Sequence, residues 1–273
     1  MYSELLESTL RYAKNSVVIS LGRDIPLLRQ ARNSRFISYE QLFTLLHHRR
    51  FEESRPSFSW RVRRLLDSGH LHACEGISWA GHPVYRITQK GLLQLESYGH
   101  FVPVIHSQTP RPPQLSQAFH ALELNEVQVS LVRNNVLANW QGEIEIASAN
   151  MMSAGGYQKD YDAIVDVWVP GGLRRFALEY ERTLKSARRY ESVCASLAAE
   201  RQIGCILYLG AAQNIVFHLA HLFQPVSDRV AFATLRAFCE QKLRTQVLVS
   251  PDLPATTFED ILIYKGLPFP GAA

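Results

Sequence analysis

The chain has 273 residues, of which 47% are apolar and 20% charged, with a formal net charge of +4. That composition supplies a core and excludes global disorder, and no uncharged apolar run reaches the roughly 18 residues of a membrane span. The charge is uneven: residues 1–113 carry 15 Lys+Arg against 9 Asp+Glu, and residues 114–273 carry 14 against 16, so the basic front half is the part expected to face a polyanion.

Residues 25–33 place apolar side chains at helical spacing, which predicts a first helix. Ser38, followed three residues later by Gln41, reads as a capping box that opens a second helix through Leu42, Leu45 and Leu46 to the basic end His47-His48-Arg49-Arg50. A third helix is predicted over residues 57–67, stopping at Ser68-Gly69. Residues 71–74 and 84–88 read as two strands around a glycine-containing loop, Gly76 to His82, and residues 89–98 as a helix. Three helices followed by a β-hairpin is the order of a winged helix-turn-helix, assigned to residues 1–101. Residues 102–113 hold four prolines and read as an extended, semi-rigid linker. Beyond it, residues 115–134 form a long predicted helix, and residues 143–147, 161–169 and 173–180 read as strands, with Gly171-Gly172 as the turn between the last two. Residues 186–200 are predicted helical and residues 203–209 a strongly apolar strand. The order αβββαβ in residues 114–273 predicts an α/β domain with a mixed sheet.

In the third helix, Phe58, Val62, Leu65 and Leu66 make one apolar stripe. The opposite face is expected to present Ser57, Trp60 and Arg64, with Arg61 and Arg63 on its flanks and Arg55 just ahead. A cationic helix of this kind fits the major groove, where arginine pairs with guanine or phosphate. Trp79 and His82 in the hairpin loop are expected beside the adjacent backbone or minor groove. The competing reading is a solvated charged face, or a winged helix used only for protein assembly, with no DNA contact. His47, His48, His70 and His72 have no partner cysteines or carboxylates at metal-ligand spacing.

A second group is acidic. Asp162 begins one predicted strand, and Glu179 and Glu181, two apart and so on one face, end the next. A tight hairpin brings Asp162 beside Glu179, and Glu126 on the long helix is expected within reach of them. Carboxylates clustered at strand ends suit Mg²⁺, and Arg182, Lys185, Arg188 and Arg189 follow as phosphate-neutralising cations. The alternative is plain surface ion pairing of Glu179 and Glu181 with these cations or with Arg174 and Arg175. His120 reads as a satisfied half-buried histidine without an acidic partner to orient it. No GxSxG elbow, GxGxxG or P-loop is present.

The pattern of Asp162, Glu179 and the residue two further on resembles the PD-(D/E)XK nuclease superfamily, with Glu181 standing where that family has lysine and Lys185 as the displaced cation. More of the chain resembles the replication-relaxation family. The resemblance rests on Phe119-His120-Ala121-Leu122-Glu123-Leu124-Asn125-Glu126-Val127, Tyr161-Asp162-Ala163-Ile164, Leu178-Glu179-Tyr180-Glu181-Arg182-Thr183 and Arg189-Tyr190. It implies a winged helix coupled to a nuclease-like domain, in a DNA-binding protein of a mobile element that acts in plasmid replication, mobilisation or transcription regulation. Two functions are then expected. In the first, the protein binds double-stranded DNA as a homodimer, without a cofactor, and contacts other mobile-element proteins through a degenerate nuclease-like domain. In the second, it is a Mg²⁺-dependent endonuclease, with Asp162, Glu179 and Glu126 as metal ligands and Glu181 and Lys185 assisting catalysis. Cys74, Cys194, Cys205 and Cys239 lack CxxC spacing, and Met1-Tyr2-Ser3-Glu4 lacks a basic-then-apolar leader, so a cytoplasmic protein with no membrane partner is expected.

Overall fold

The computed structural model describes residues 18–107, 114–153, 156–249 and 256–265. They form a mixed α/β structure built around a five-stranded mixed sheet. Among the described residues, no helix is long and apolar enough to cross a membrane.

The N-terminal elements run α1 (Asp24–Ser34), β1 (Ile37–Ser38), α2 (Tyr39–His48), α3 (Arg55–Asp67), β2 (Leu71–Trp79), β3 (His82–Ile87) and α4 (Gln89–Ser97). Ser38 and Gln41 form the reciprocal capping box that their spacing predicts. Ser54 caps α3 ahead of Pro56. The strands form a small antiparallel sheet in the order β1-β3-β2. β2 extends to Trp79, further than its apolar residues predict. Positive φ at both Ala80 and Gly81 reverses the chain there, so Gly76–Trp79 belongs to a strand rather than to a long loop. Leu27, Leu28, Ile37, Leu42, Phe58, Leu65 and Leu71 fill the core beneath these elements.

The expected extended linker begins differently. Pro103–Ser107 is a short helix, α5, and Val102 and Val104 are buried against Ile144 and Ala147. Residues 108–113 lie outside the described part.

The long helix α6 (Leu115–Arg133) buries two faces. Val127 and Leu131 pack on the large sheet, whereas Val129 and Val132 join the core under α1 and α2. A helix clasped from two sides carries no single apolar stripe. Next come β4 (Leu137–Gly142), α7 (Glu143–Met152), β5 (Ala163–Val169), β6 (Gly172–Glu181), α8 (Ala187–Ala199), β7 (Ile206–Gly210), α9 (Gln213–Leu222), β8 (Val230–Thr234), α10 (Leu235–Gln241), β9 (Gln246–Val247), β10 (Thr256–Thr257) and α11 (Phe258–Lys265). The predicted strand at residues 143–147 is instead the start of α7. Its alternation of Glu and Ile mimics a strand, but Glu143 and Glu145 sit in the first helical turn, where negative charge is favoured. The first strand of the large sheet lies just before it.

The sheet order is β4-β5-β6-β7-β8. β4, β5 and β6 are antiparallel neighbours, and β6, β7 and β8 are parallel. Gly171 and Gly172, both at positive φ, make the β5–β6 turn. Ala163 pairs with Leu178, so Asp162, one residue ahead of β5, arrives beside Glu179 and Tyr180.

Candidate nucleic-acid interface and carboxylate pocket

The apolar stripe of α3 is buried as its spacing requires, and the opposite face divides in two. Trp60 is 60% exposed and Arg63 is exposed. Arg55 is half exposed, pairs with Glu40 and lies over the Phe43 ring. His47 stacks on the same Phe43 ring, and His47, His48 and Arg50 at the end of α2 are exposed, whereas Arg49 lines the carboxylate cavity described below.

Arg61 departs from its expected place. It is 5% exposed, bonds Glu52 through Nε, and lies 2.9 Å from Asp24 Oδ1 through Nη1. Arg64 bonds the other Asp24 oxygen and donates to Val18 O at 2.7 Å. Its guanidinium also lies 5.2 Å from the Trp60 ring centroid. Ser57 receives a hydrogen bond from Arg23 and donates to Glu52. These three residues turn inward because Asp24 and Glu52, both fully buried, need cations and hydrogen-bond donors as partners. Burial alone would raise the Asp24 carboxyl. The hydrogen bonds from Arg64, from the Ser20 backbone N–H and from Arg61 outweigh it and hold Asp24 below its ordinary range.

Trp79 is not a free loop residue either. Its ring packs near Phe119, and Nε1 donates to Glu126 Oε1 at 2.9 Å. His82 lies against Tyr39, 4.0 Å from Glu40. Glu126 also accepts from Gln41 Nε2 at 2.6 Å. It therefore fastens the β2–β3 hairpin and α2 to α6 and does not join the acidic group, contrary to the expectation from its position on the long helix.

The remaining acidic residues do meet. Asp162, Glu179, Glu181, Lys185, His120 and Lys159 line one cavity of about 540 Å³. Asp162 Oδ2 accepts from the Tyr180 backbone N–H at 2.7 Å, and Oδ1 lies 3.3 Å from His120 Nε2. His120 thus has the acidic partner that its sequence neighbours did not reveal, and its ring stacks on Tyr180 at 5.2 Å. Lys159 bonds Glu179, and Lys185 bonds Glu181 from four residues along. Lys159 belongs to no motif and is not legible as a site residue from the sequence.

Burial opposes ionisation of Asp162, but the hydrogen bond and charge of His120 outweigh it and lower the carboxyl below its ordinary value. Glu179 goes the other way. Burial, offset only in part by Lys159 and reinforced by the Asp162 charge, pushes its carboxyl up to about 7. Two neighbouring carboxyls with divergent proton affinity mark a site suited to acid–base or ion-binding chemistry.

Comparisons of the chain with protein families, with curated proteins and with solved structures return no match. Among the described residues, no group of three His, Cys, Asp or Glu side chains is arranged to hold a metal ion. Asp162 and Glu179 nonetheless offer the hard oxygen donors that Mg²⁺ takes, and that ion commonly uses one or two carboxylates and keeps several waters.

Proposed function

We propose that this chain is a DNA-binding protein in which residues 24–87 act as a winged helix and α3 enters the major groove. The observation that carries this reading is the outward pair Trp60 and Arg63 on the third helix before a hairpin, next to the basic end of α2. The DNA-contacting set is Arg55, Trp60 and Arg63 with His47, His48 and Arg50, while Arg49 lines the carboxylate cavity. Arg61, Arg64 and Ser57 hold α3 to α1 instead, and Trp79 holds the hairpin to α6. Under this reading the chain acts on a mobile element, as the replication-relaxation resemblance implies, and works as a homodimer with one α3 per half-site. A gel shift on duplex DNA across a salt series tests it. Affinity should fall steeply with salt, with a slope of about −0.9 per phosphate neutralised. Absence of duplex binding at low salt contradicts it.

A second reading, a Mg²⁺-dependent endonuclease, is favoured by one observation: the β5–β6 register places Asp162 beside Glu179 on a cavity that also holds Lys159 and Lys185. Asp162 and Glu179 would hold the ion, which supplies Lewis-acid stabilisation of phosphate charge. Lys185 would orient water or phosphate once drawn from Glu181, and His120 would keep Asp162 ionised. Plasmid nicking in Mg²⁺ or Mn²⁺ that disappears in Asp162→Asn supports this reading. Equal nicking by the variant removes it.

A further inference from the structure

The cavity that holds the carboxylates does not belong to the C-terminal sheet alone. Arg35 and Arg49, from the N-terminal elements, line it together with Arg182 and Arg189 from the end of β6 and the start of α8. Arg35 is the C-cap of α1 and Arg49 the C-cap of α2, so the ends of two helices deliver cations to the far module's acidic site. Arg35 reaches across to Glu143 at 3.1 Å. Lys159 is matched by Glu179 and Lys185 by Glu181, whereas Arg182 pairs with Glu123, which lies outside the lining, at 2.8 Å. The lining thus carries six Lys and Arg against five Asp and Glu, with His120 paired to Asp162, and Arg49 and Arg189 add positive charge on opposite sides of the carboxylates.

At about 540 Å³ the space matches a small-ligand site, about 300–1,000 Å³. A duplex, whose major groove alone is about 12 Å wide, does not enter it. A nucleotide or two of a single strand fits. Trp140, half-buried, and His120, backed by the buried Tyr180 ring, give the walls aromatic character. Cations flanking aromatic rings are the two components of single-strand binding sites.

We propose that this cavity takes one strand of DNA, unpaired, with Arg35 and Arg49 binding its phosphates from the N-terminal side and Arg182 and Arg189 from the other. The proposal rests on the acidic pocket being a phosphodiester site. It adds that the N-terminal elements supply part of that site and that single-stranded DNA is its ligand.

Fluorescence anisotropy of a labelled oligothymidine, without divalent metal, tests it on the full chain. The comparison ligands are a blunt duplex and an oligouridine of the same length. Arg35→Gly removes the guanidinium while suiting the positive φ of that position. Combined with Arg49→Ala, it should weaken single-strand binding by about tenfold or more and lower the salt slope by about 0.7 for each phosphate that is no longer neutralised. Trp60→Ala with Arg63→Ala, on the α3 surface, should leave single-strand binding unchanged and weaken only the duplex. A thermal melt matching wild type confirms that the Arg35→Gly, Arg49→Ala protein is folded, and Arg49→Lys should restore most of the affinity. The proposal is overturned if wild type does not bind the single strand, if the cavity variant binds it as well as wild type does, or if the variant loses duplex and single strand equally. Tighter binding of the oligouridine overturns the assignment to DNA. Nicking activity is read separately, so loss of nicking in Asp162→Asn with no effect of the arginine variants separates failure of this proposal from failure of the nuclease reading.

Discussion

Arg61 Nη1 lies 2.9 Å from Asp24 Oδ1, and both side chains are almost wholly shut away from solvent. The contact joins the middle of α3 to the first turn of α1, and Glu52 closes it from the segment between α2 and α3. The most basic stretch of the sequence is thus partly a fastening for the helix that carries it. What it leaves outward is the pair Trp60 and Arg63.

Removing one member of this buried network strands the others. Arg61→Ala should destabilise the fold by about 3–5 kcal/mol, the cost of leaving a buried charge uncompensated. Arg63→Ala, at an exposed position, should change stability by less than about 0.5 kcal/mol. Urea denaturation followed by circular dichroism distinguishes them, and equal small effects would show that Arg61 is not a structural tie.

Asp24 gives the same network a pH signature. Its carboxyl is held below the unfolded value, so the stability it contributes is present above about pH 4, near the unfolded pKa, and is lost as pH falls through the lower folded pKa. Asp24→Asn should lower stability at neutral pH and flatten the acid limb of a melting-temperature profile. A parallel displacement of the whole profile would contradict this.

Glu179 acts in the opposite sense. With its folded carboxyl pushed up to about 7, the native state holds a proton that the unfolded chain has released. Stability tied to this group is therefore full below the unfolded pKa of about 4.3 and is lost as pH rises toward 7. Glu179→Gln should remove that decline, so that its melting temperature changes less than wild type's between pH 5 and pH 8. An unchanged slope would mean that Glu179 ionises normally.

Glu126 is predicted to matter for assembly of the elements rather than for chemistry. Glu126→Ala leaves Trp79 Nε1 without its acceptor and removes one of the two acceptors of Gln41 Nε2, which keeps Leu122 O. The expected cost is about 1–3 kcal/mol, with faster hydrogen exchange in β2 and β3. Exchange unchanged in the hairpin would show that it is held by its apolar contacts to α6 alone.

Much of the fold is legible in the sequence because local signals agree with it. The Ser38–Gln41 pair opens α2, the stripe of Phe58, Val62 and Leu65 fixes the buried face of α3, and Gly171-Gly172 sets the β5–β6 turn and hence the meeting of Asp162 with Glu179. The misread elements are those where tertiary contacts decide. Residues 143–147 alternate like a strand yet open a helix packed on Val102 and Val104, while Leu137–Gly142, with little strand character, is recruited as an edge by pairing with β5. Side-chain partners separated by tens of residues are invisible for the same reason. Nothing local announces that Asp24 binds Arg61, that Glu126 turns toward Trp79, or that Asp162 gives His120 its acidic partner.

The central claim is that the exposed face of α3 contacts duplex DNA, and fluorescence anisotropy with Trp60→Ala and Arg63→Ala tests it most directly. The account predicts a loss of about 1–3 kcal/mol in duplex affinity for each residue that touches a base, and a salt slope smaller by about 1 for each phosphate set free, with the fold intact. Duplex affinity and salt slope equal to wild type in the folded double variant would contradict it.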